Sequence, residues 1–140
     1  MLRGRVDRGF TLVELMIVIA VIAVLVSILV PNYTRARARS QLSGCEQNLK
    51  NISTAIEIYL VKNQKLPLVS GDDWTFLTDG GKYLQLMPTC PAAGIVTYSI
   101  GIDSDNPTQY TVYCKGTNHE ICNIPPDYPV YESSSGLHET

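Results

Sequence analysis

The pattern of apolar and polar positions changes character once along the chain, near residue 31. From Phe10 to Val30, 21 residues carry one charge, Glu14, and two other polar side chains, Thr11 and Ser27. At about 1.5 Å per residue, a helix of that length reaches about 30 Å, the depth of a bilayer's hydrocarbon core. Pro31 interrupts this run, because its ring removes a backbone bond and clashes with the preceding turn. Beyond it the apolar positions keep a helical period but lie on one side. Leu42, Cys45, Leu49, Ile52, Ile56 and Tyr59 follow one another at steps of 3, 4, 3, 4 and 3, which is one stripe of an amphipathic helix. Glu46, Lys50 and Glu57 fall off the stripe. Gly44 is the one poor helix former there, costing about 1 kcal/mol relative to alanine. Asn63 and Pro67 end the pattern. The spacing predicts one long helix from Phe10 to about Lys62, apolar all round in its first half and one-sided in its second.

The remainder is short-period and turn-rich. Trp74 to Asp79 reads as a brief helix stopped by Gly80-Gly81. Thr97 to Ile102 alternates, with Tyr98, Ile100 and Ile102 on one face; Tyr110 to Cys114 alternates again, with Tyr110, Val112 and Cys114 together. With the loop Asp103-Ser104-Asp105-Asn106-Pro107 between them, these runs predict an antiparallel hairpin. The tail from Asn123, with Pro125, Pro126, Pro129 and Ser133-Ser134-Ser135, is expected to be irregular and partly mobile at its end. A small sheet with one apolar face needs a partner, and the helix stripe is the large one available. The expected fold class is α+β: a long N-terminal helix, half of it transmembrane, packed through its second half on a small antiparallel sheet. A helix apolar all round must be buried, in a bilayer or in an assembly of identical subunits.

Charge adds an orientation. Arg3, Arg5 and Arg8, opposed by Asp7 alone, precede the apolar run and favour a cytoplasmic N-terminus. Arg35, Arg37 and Arg39 follow the run and pull the other way, unless they snorkel to head groups or meet acidic partners. Met1 to Gly9 is basic and poor in apolar groups, and reads as a processing segment. A secretory signal would have a shorter apolar core with small residues at its far end, so the run is read as a retained anchor. The expected division is 1–9 leader, 10–30 membrane and assembly half of the helix, 31–63 amphipathic half, and 64–140 small head.

Glu14 is the chemical oddity, since a carboxylate at the centre of hydrocarbon costs about 2.5–3.5 kcal/mol on insertion scales. Either it lies near the membrane surface and reaches water, or it meets a cation at the apolar level. A cut before Phe10 creates such a cation, a new α-amine, which a neighbouring subunit could present to Glu14. Buried pairing of this sort specifies register more than it adds stability.

Gly9-Phe10-Thr11-Leu12-Val13-Glu14-Leu15-Met16, followed by an unbroken apolar run and Pro31, resembles the N-terminal signal of type IV pilins and type II secretion pseudopilins. The resemblance is close over the first 30 residues and looser over the rest of the helix. It implies a pilin-like ladle fold and a prepilin peptidase that cuts after Gly9 on the cytoplasmic side and N-methylates Phe10. It makes Glu14 the assembly glutamate and Pro31 the helix-kinking proline. It further implies melting of the helix around Ala23 to Val30 within filaments. The partners implied are other copies of the chain in a helical filament, the peptidase and methyltransferase, an inner-membrane assembly platform and the inner membrane itself. The precursor is then a single-pass inner-membrane protein with its head outside the cytoplasm, and the filament is periplasmic or on the cell surface. Tyr83-Leu84 followed by Met87-Pro88-Thr89-Cys90-Pro91 resembles the small heads of major pseudopilins.

Loss of the leader takes the net side-chain charge from −2 to −4, which argues against nucleic-acid binding by a broad basic surface. Cys45 and Cys114 point toward the predicted core, and Cys90 lies in a rigid Pro-Thr-Cys-Pro turn. With Cys122 they are disulfide candidates if the head is outside the cytoplasm. Of the three possible pairings, Cys90–Cys114 is slightly preferred, leaving Cys45–Cys122 or two free thiols. A metal site from Cys90, Cys114, His119 and Cys122 is the sharper alternative, but it lacks the Cys-x-x-Cys knuckles of common zinc sites. Disulfides or buried thiols are favoured over it, and no resident metal or cofactor is expected. Asp103 and Asp105 are a candidate calcium loop, since major pseudopilins carry one in their C-terminal region; the pattern is not clear here, and a solvated turn is preferred. No catalytic set emerges around His119 or His138. The expected function is a structural filament subunit and not an enzyme. The alternative is a single-pass, membrane-anchored binding or metal module that does not polymerise.

Overall fold

The computed structural model describes residues 9–67, 69 and 71–139. The charged leader residues Arg3, Arg5, Asp7 and Arg8 lie outside the described residues. The chain divides into two compact units, Met1–Thr34 and Arg35–Thr140. Helix α1 (Leu12–Asn63) contributes to both.

In the first unit, every residue described from Gly9 to Thr34 is exposed. Among the described residues none of the apolar run is buried, and the helix is long and apolar enough to cross a membrane. Ala23 to Val30 is helical here, so the melting implied for filaments is absent from the single chain. Ser27 and Thr34 turn their hydroxyls back onto the helix, donating to the carbonyls of Val24 (2.7 Å) and Pro31 (3.0 Å).

In the second unit, the predicted stripe is the buried face of α1. Leu42, Cys45, Leu49, Ile52 and Ile56 are all buried, joined by Ala38, Ser53 and Ala55. Opposite them stands an antiparallel four-stranded sheet in the order β1 (Tyr98–Ile102), β2 (Tyr110–Cys114), β3 (Val130–Glu132), β4 (Gly136–His138). The predicted hairpin forms in the register Tyr98↔Cys114, Ile100↔Val112 and Ile102↔Tyr110. Directly opposed residues share a face, so the two alternating sets make one apolar surface. That surface, the helix stripe, Leu66, Trp74, Leu77 and Cys90 form one core. Trp74 ties in the short helix α2 (Thr75–Thr78) by donating its indole N–H to the Tyr98 carbonyl at 3.1 Å. Gly80 and Gly81 then take positive φ, 63° and 65°, and end the helical stretch as expected.

The tail corrects the sequence reading. It is a hairpin of two three-residue strands, with Val112 opposite Tyr131 and Tyr131 opposite Leu137. Strands that short show no readable alternation, and the prolines and serines that mark irregular chain serve here as the connections.

Gly44 also acquires a reason. A β-carbon built there would stand 3.0 Å from Cγ of Pro91, so the helix backbone touches the loop that carries Cys90. Gln41 donates to the Pro91 carbonyl at 3.1 Å, and Asn48 donates both to the Thr89 carbonyl and to the Tyr98 hydroxyl at 3.0 Å. One face of one helical stretch therefore clamps the Thr89-Cys90-Pro91 segment from both sides.

Candidate functional site

Two sites carry chemistry, one in each unit. The first is the start of α1. Thr11 is the residue before the helix, and Glu14 sits in its first turn. The backbone N–H and the hydroxyl of Thr11 both donate to Oε2 of Glu14 at 2.9 Å, and the Glu14 N–H donates to the Thr11 hydroxyl at 3.2 Å. This reciprocal pair is a capping box, satisfying two N–H groups that the helix start leaves open. The sequence carries its signature, Thr11-x-x-Glu14 ahead of an apolar run, so Glu14 has a local partner in addition to the cation expected for it. Both of the cap's bonds to the carboxylate fall on Oε2, and Oε1 accepts none among the described residues. Phe10, beside the cap, is 87% exposed, so a new amine at this residue would be open to approach.

The second site lies inside the head. Cys45 comes from α1, Cys90 from the clamped loop, Cys114 from the end of β2 and His119 from the turn that follows. All four are buried, and one donor atom from each lies within 4.8 Å of the other three. The sulfurs of Cys90 and Cys114 are 3.8 Å apart, and each is 3.7 Å from Nε2 of His119. Outer groups address the sulfurs: Tyr98 donates its hydroxyl to Cys45 at 3.5 Å, Asn118 its amide to Cys114 at 3.7 Å, and Thr97 Oγ1 lies 3.2 Å from Cys114. The acidity of the sulfurs is split by this arrangement. Cys114 is pushed down, chiefly by its hydrogen bond with Cys45 and further by His119, Thr97 and Asn118, against the effect of burial. Cys45 is pushed far up, first by the same bond and then by burial, with Tyr98 acting the other way. Nδ1 of His119 is buried without a partner among the described residues. Glu46, next to Cys45, has its carboxyl pushed up by burial and by Glu139, while Lys50 and His119 pull it down.

The disulfide expectations meet four free thiols. Cys90 and Cys114 are neighbours, but at 3.8 Å they are far beyond the roughly 2.05 Å of a disulfide. Cys45 stands with them and not with Cys122, which is half-buried and lines a separate cleft with Arg35, Arg39, Ile121 and Asn123. The four-residue set weighed from sequence thus has three members in place, and Cys45 takes the position given to Cys122. The Asp103–Asp105 loop is an exposed turn in which Asp103 accepts the Asp105 N–H at 2.9 Å.

An exposed apolar helix of this length suits a membrane span by length and composition, and comparison with known sequences adds to that. Residues 4–30 match the prokaryotic N-terminal methylation motif. The chain is 51% identical over 49 residues to the type IV major pilin protein PilA of Myxococcus xanthus, covering 35% of this chain and 22% of that one. It is 44% identical over 59 residues to the type IV major fimbrial protein FimA of Dichelobacter nodosus, covering 42% and 37%. It is 31% identical over 64 residues to the type II secretion system core protein G of Pectobacterium carotovorum, covering 46% and 41%. The matched segment therefore spans less than half the length of each of these relatives. No solved structure matches it significantly. The similarity to these pilin, fimbrial and secretion-system proteins lies in the N-terminal segment, and the long helix packed on a small antiparallel sheet is the α+β, pilin-like arrangement expected from the sequence.

Proposed function

We propose that the chain is a structural subunit of a helical filament of the type IV pilus or secretion pseudopilus kind. Prepilin peptidase cuts between Gly9 and Phe10, the new amine is methylated, and the subunit assembles through the first part of α1. The observation that carries this reading is the run from Phe10 to Val30, exposed along its whole length in the single chain. So much apolar surface on one helix requires a bilayer before assembly and neighbouring helices after it.

Glu14 then has two roles that do not compete. Oε2 closes the cap at the start of its own helix, and Oε1 is left for the methylated amine of a neighbouring subunit. Cleavage makes that amine, which fits a leader that must be removed before assembly. In a water-poor bundle, the pair selects the register at which subunits stack. Pro31 has no N–H to offer the preceding turn, so it is the point where the helix would yield as the run passes from lipid into the bundle. The role is mechanical and not catalytic. The force comes from an inner-membrane platform, with the N-terminus on the cytoplasmic side and the head outside. The alternative, a single-pass membrane-anchored binding or metal module that does not polymerise, is less favoured because the relatives matched through the N-terminal segment are pilin, fimbrial and secretion-system proteins.

Filament assembly in the Glu14→Ala variant tests the reading. The expected result is a chain that still fractionates with the membrane while sheared filaments are lost. Filament yield equal to the wild type would remove Glu14 from assembly.

A further inference from the structure

We propose that Cys45, Cys90, Cys114 and His119 form a closed, tetrahedral site for a zinc-type divalent cation that fastens helix α1 to the sheet. All four residues lie in the second unit, Arg35–Thr140, so the site is independent of filament assembly. In a tetrahedral zinc site with bonds of about 2.3 Å to sulfur and about 2.05 Å to nitrogen, sulfurs stand about 3.75 Å apart and sulfur stands about 3.55 Å from nitrogen. The distances found are 3.8 Å between Cys90 and Cys114, and 3.7 Å from each to His119. Those three distances match one face of a coordination tetrahedron, and Cys45, within 4.8 Å of the other three donors, stands on the side of the fourth corner and would close by up to about 1 Å on binding.

The donor chemistry selects the ion. Three thiols and an imidazole suit zinc, whereas calcium and magnesium require oxygen. Four protein donors leave no place for water or substrate, so the site is structural. Binding converts the thiols to thiolates and releases their protons to solvent. The hydroxyl of Tyr98 and the amide of Asn118, each aimed at a sulfur, supply the outer hydrogen bonds that thiolate ligands need. The ligands come from a helix, a loop, a strand end and a turn, so one ion would cross-link the elements that make up the head. The clamp of Gln41, Gly44 and Asn48 on the loop holds Cys90 in reach of the other three.

The test is metal analysis of the full-length chain purified in detergent without chelator, followed by replacement of the metal with cobalt(II) in the reduced protein. The expected result is one zinc per chain and the intense visible bands of a tetrahedral cobalt thiolate. Cys122→Ser, outside the cluster, should leave both unchanged, and Cys114→Ser should abolish both. A reduced wild-type chain that takes up no cobalt would overturn the proposal. So would a metal-free chain isolated with a Cys90–Cys114 disulfide, or loss of the cobalt bands in Cys122→Ser.

Discussion

Glu14 and Gly44 are the residues at which one side chain, or the lack of one, decides most. Glu14 combines a cap, made through Oε2, with a charge, and the two can be separated. Glutamine closes a capping box as glutamate does but has no charge to pair with an amine. Glu14→Gln should therefore keep the helix start and the membrane anchoring while losing filaments, as counted by electron microscopy of sheared cells. Normal filaments in this variant would mean that the cap, not the charge, is what assembly needs. At Gly44, alanine would gain about 1 kcal/mol in helix propensity. Its methyl would then meet the Pro91 ring, and the hydrogen bond from Gln41 to the Pro91 carbonyl resists the small retreat that is needed. Overpacking of this kind costs about 1–3 kcal/mol. Gly44→Ala is expected to lower the thermal midpoint of the full chain, and a raised midpoint would show that the loop is free to move. Glu14 announced itself in the sequence by its isolation. Gly44 did not, because its reason is a proline distant in the chain.

Among the elements, α1 was legible and the late strands were not. The period of the stripe from Leu42 to Ile56 foretold which side of the helix is buried, and the alternation of β1 and β2 foretold their shared face. Both signals repeat often enough to be read. β3 and β4 repeat over three residues each, too few for a period, and their pairing depends on contacts made only in the folded head. The head cluster was half-legible for a related reason. Stripe and strand face aimed Cys45 and Cys114 inward, but ligands drawn from four separate elements leave no local spacing, so the neighbouring Cys122 looked the better fourth member. Burial along the stripe makes a direct prediction. Ile52 is fully buried and Val61 is 86% exposed. Ile52→Ala should cost about 2–5 kcal/mol in chemical denaturation of the head, and Val61→Ala should change it by no more than about 0.5 kcal/mol. Equal effects would mean that the stripe is not the packed face.

For the whole molecule, the two units meet different demands. The head, Arg35–Thr140, closes around its own core. The run Phe10–Val30 buries nothing in the single chain, and its companions must come from lipid or from other copies. Removing the leader changes what the N-terminus can do, because it strips the basic residues and places an amine beside the Thr11–Glu14 cap. Everything proposed for assembly follows from that one cut. The most direct measurement is the N-terminal mass and sequence of the chain extracted from membranes. Filament assembly through the processed helix predicts a chain that begins with N-methylated Phe10. An intact Met1 in the mature protein would contradict it.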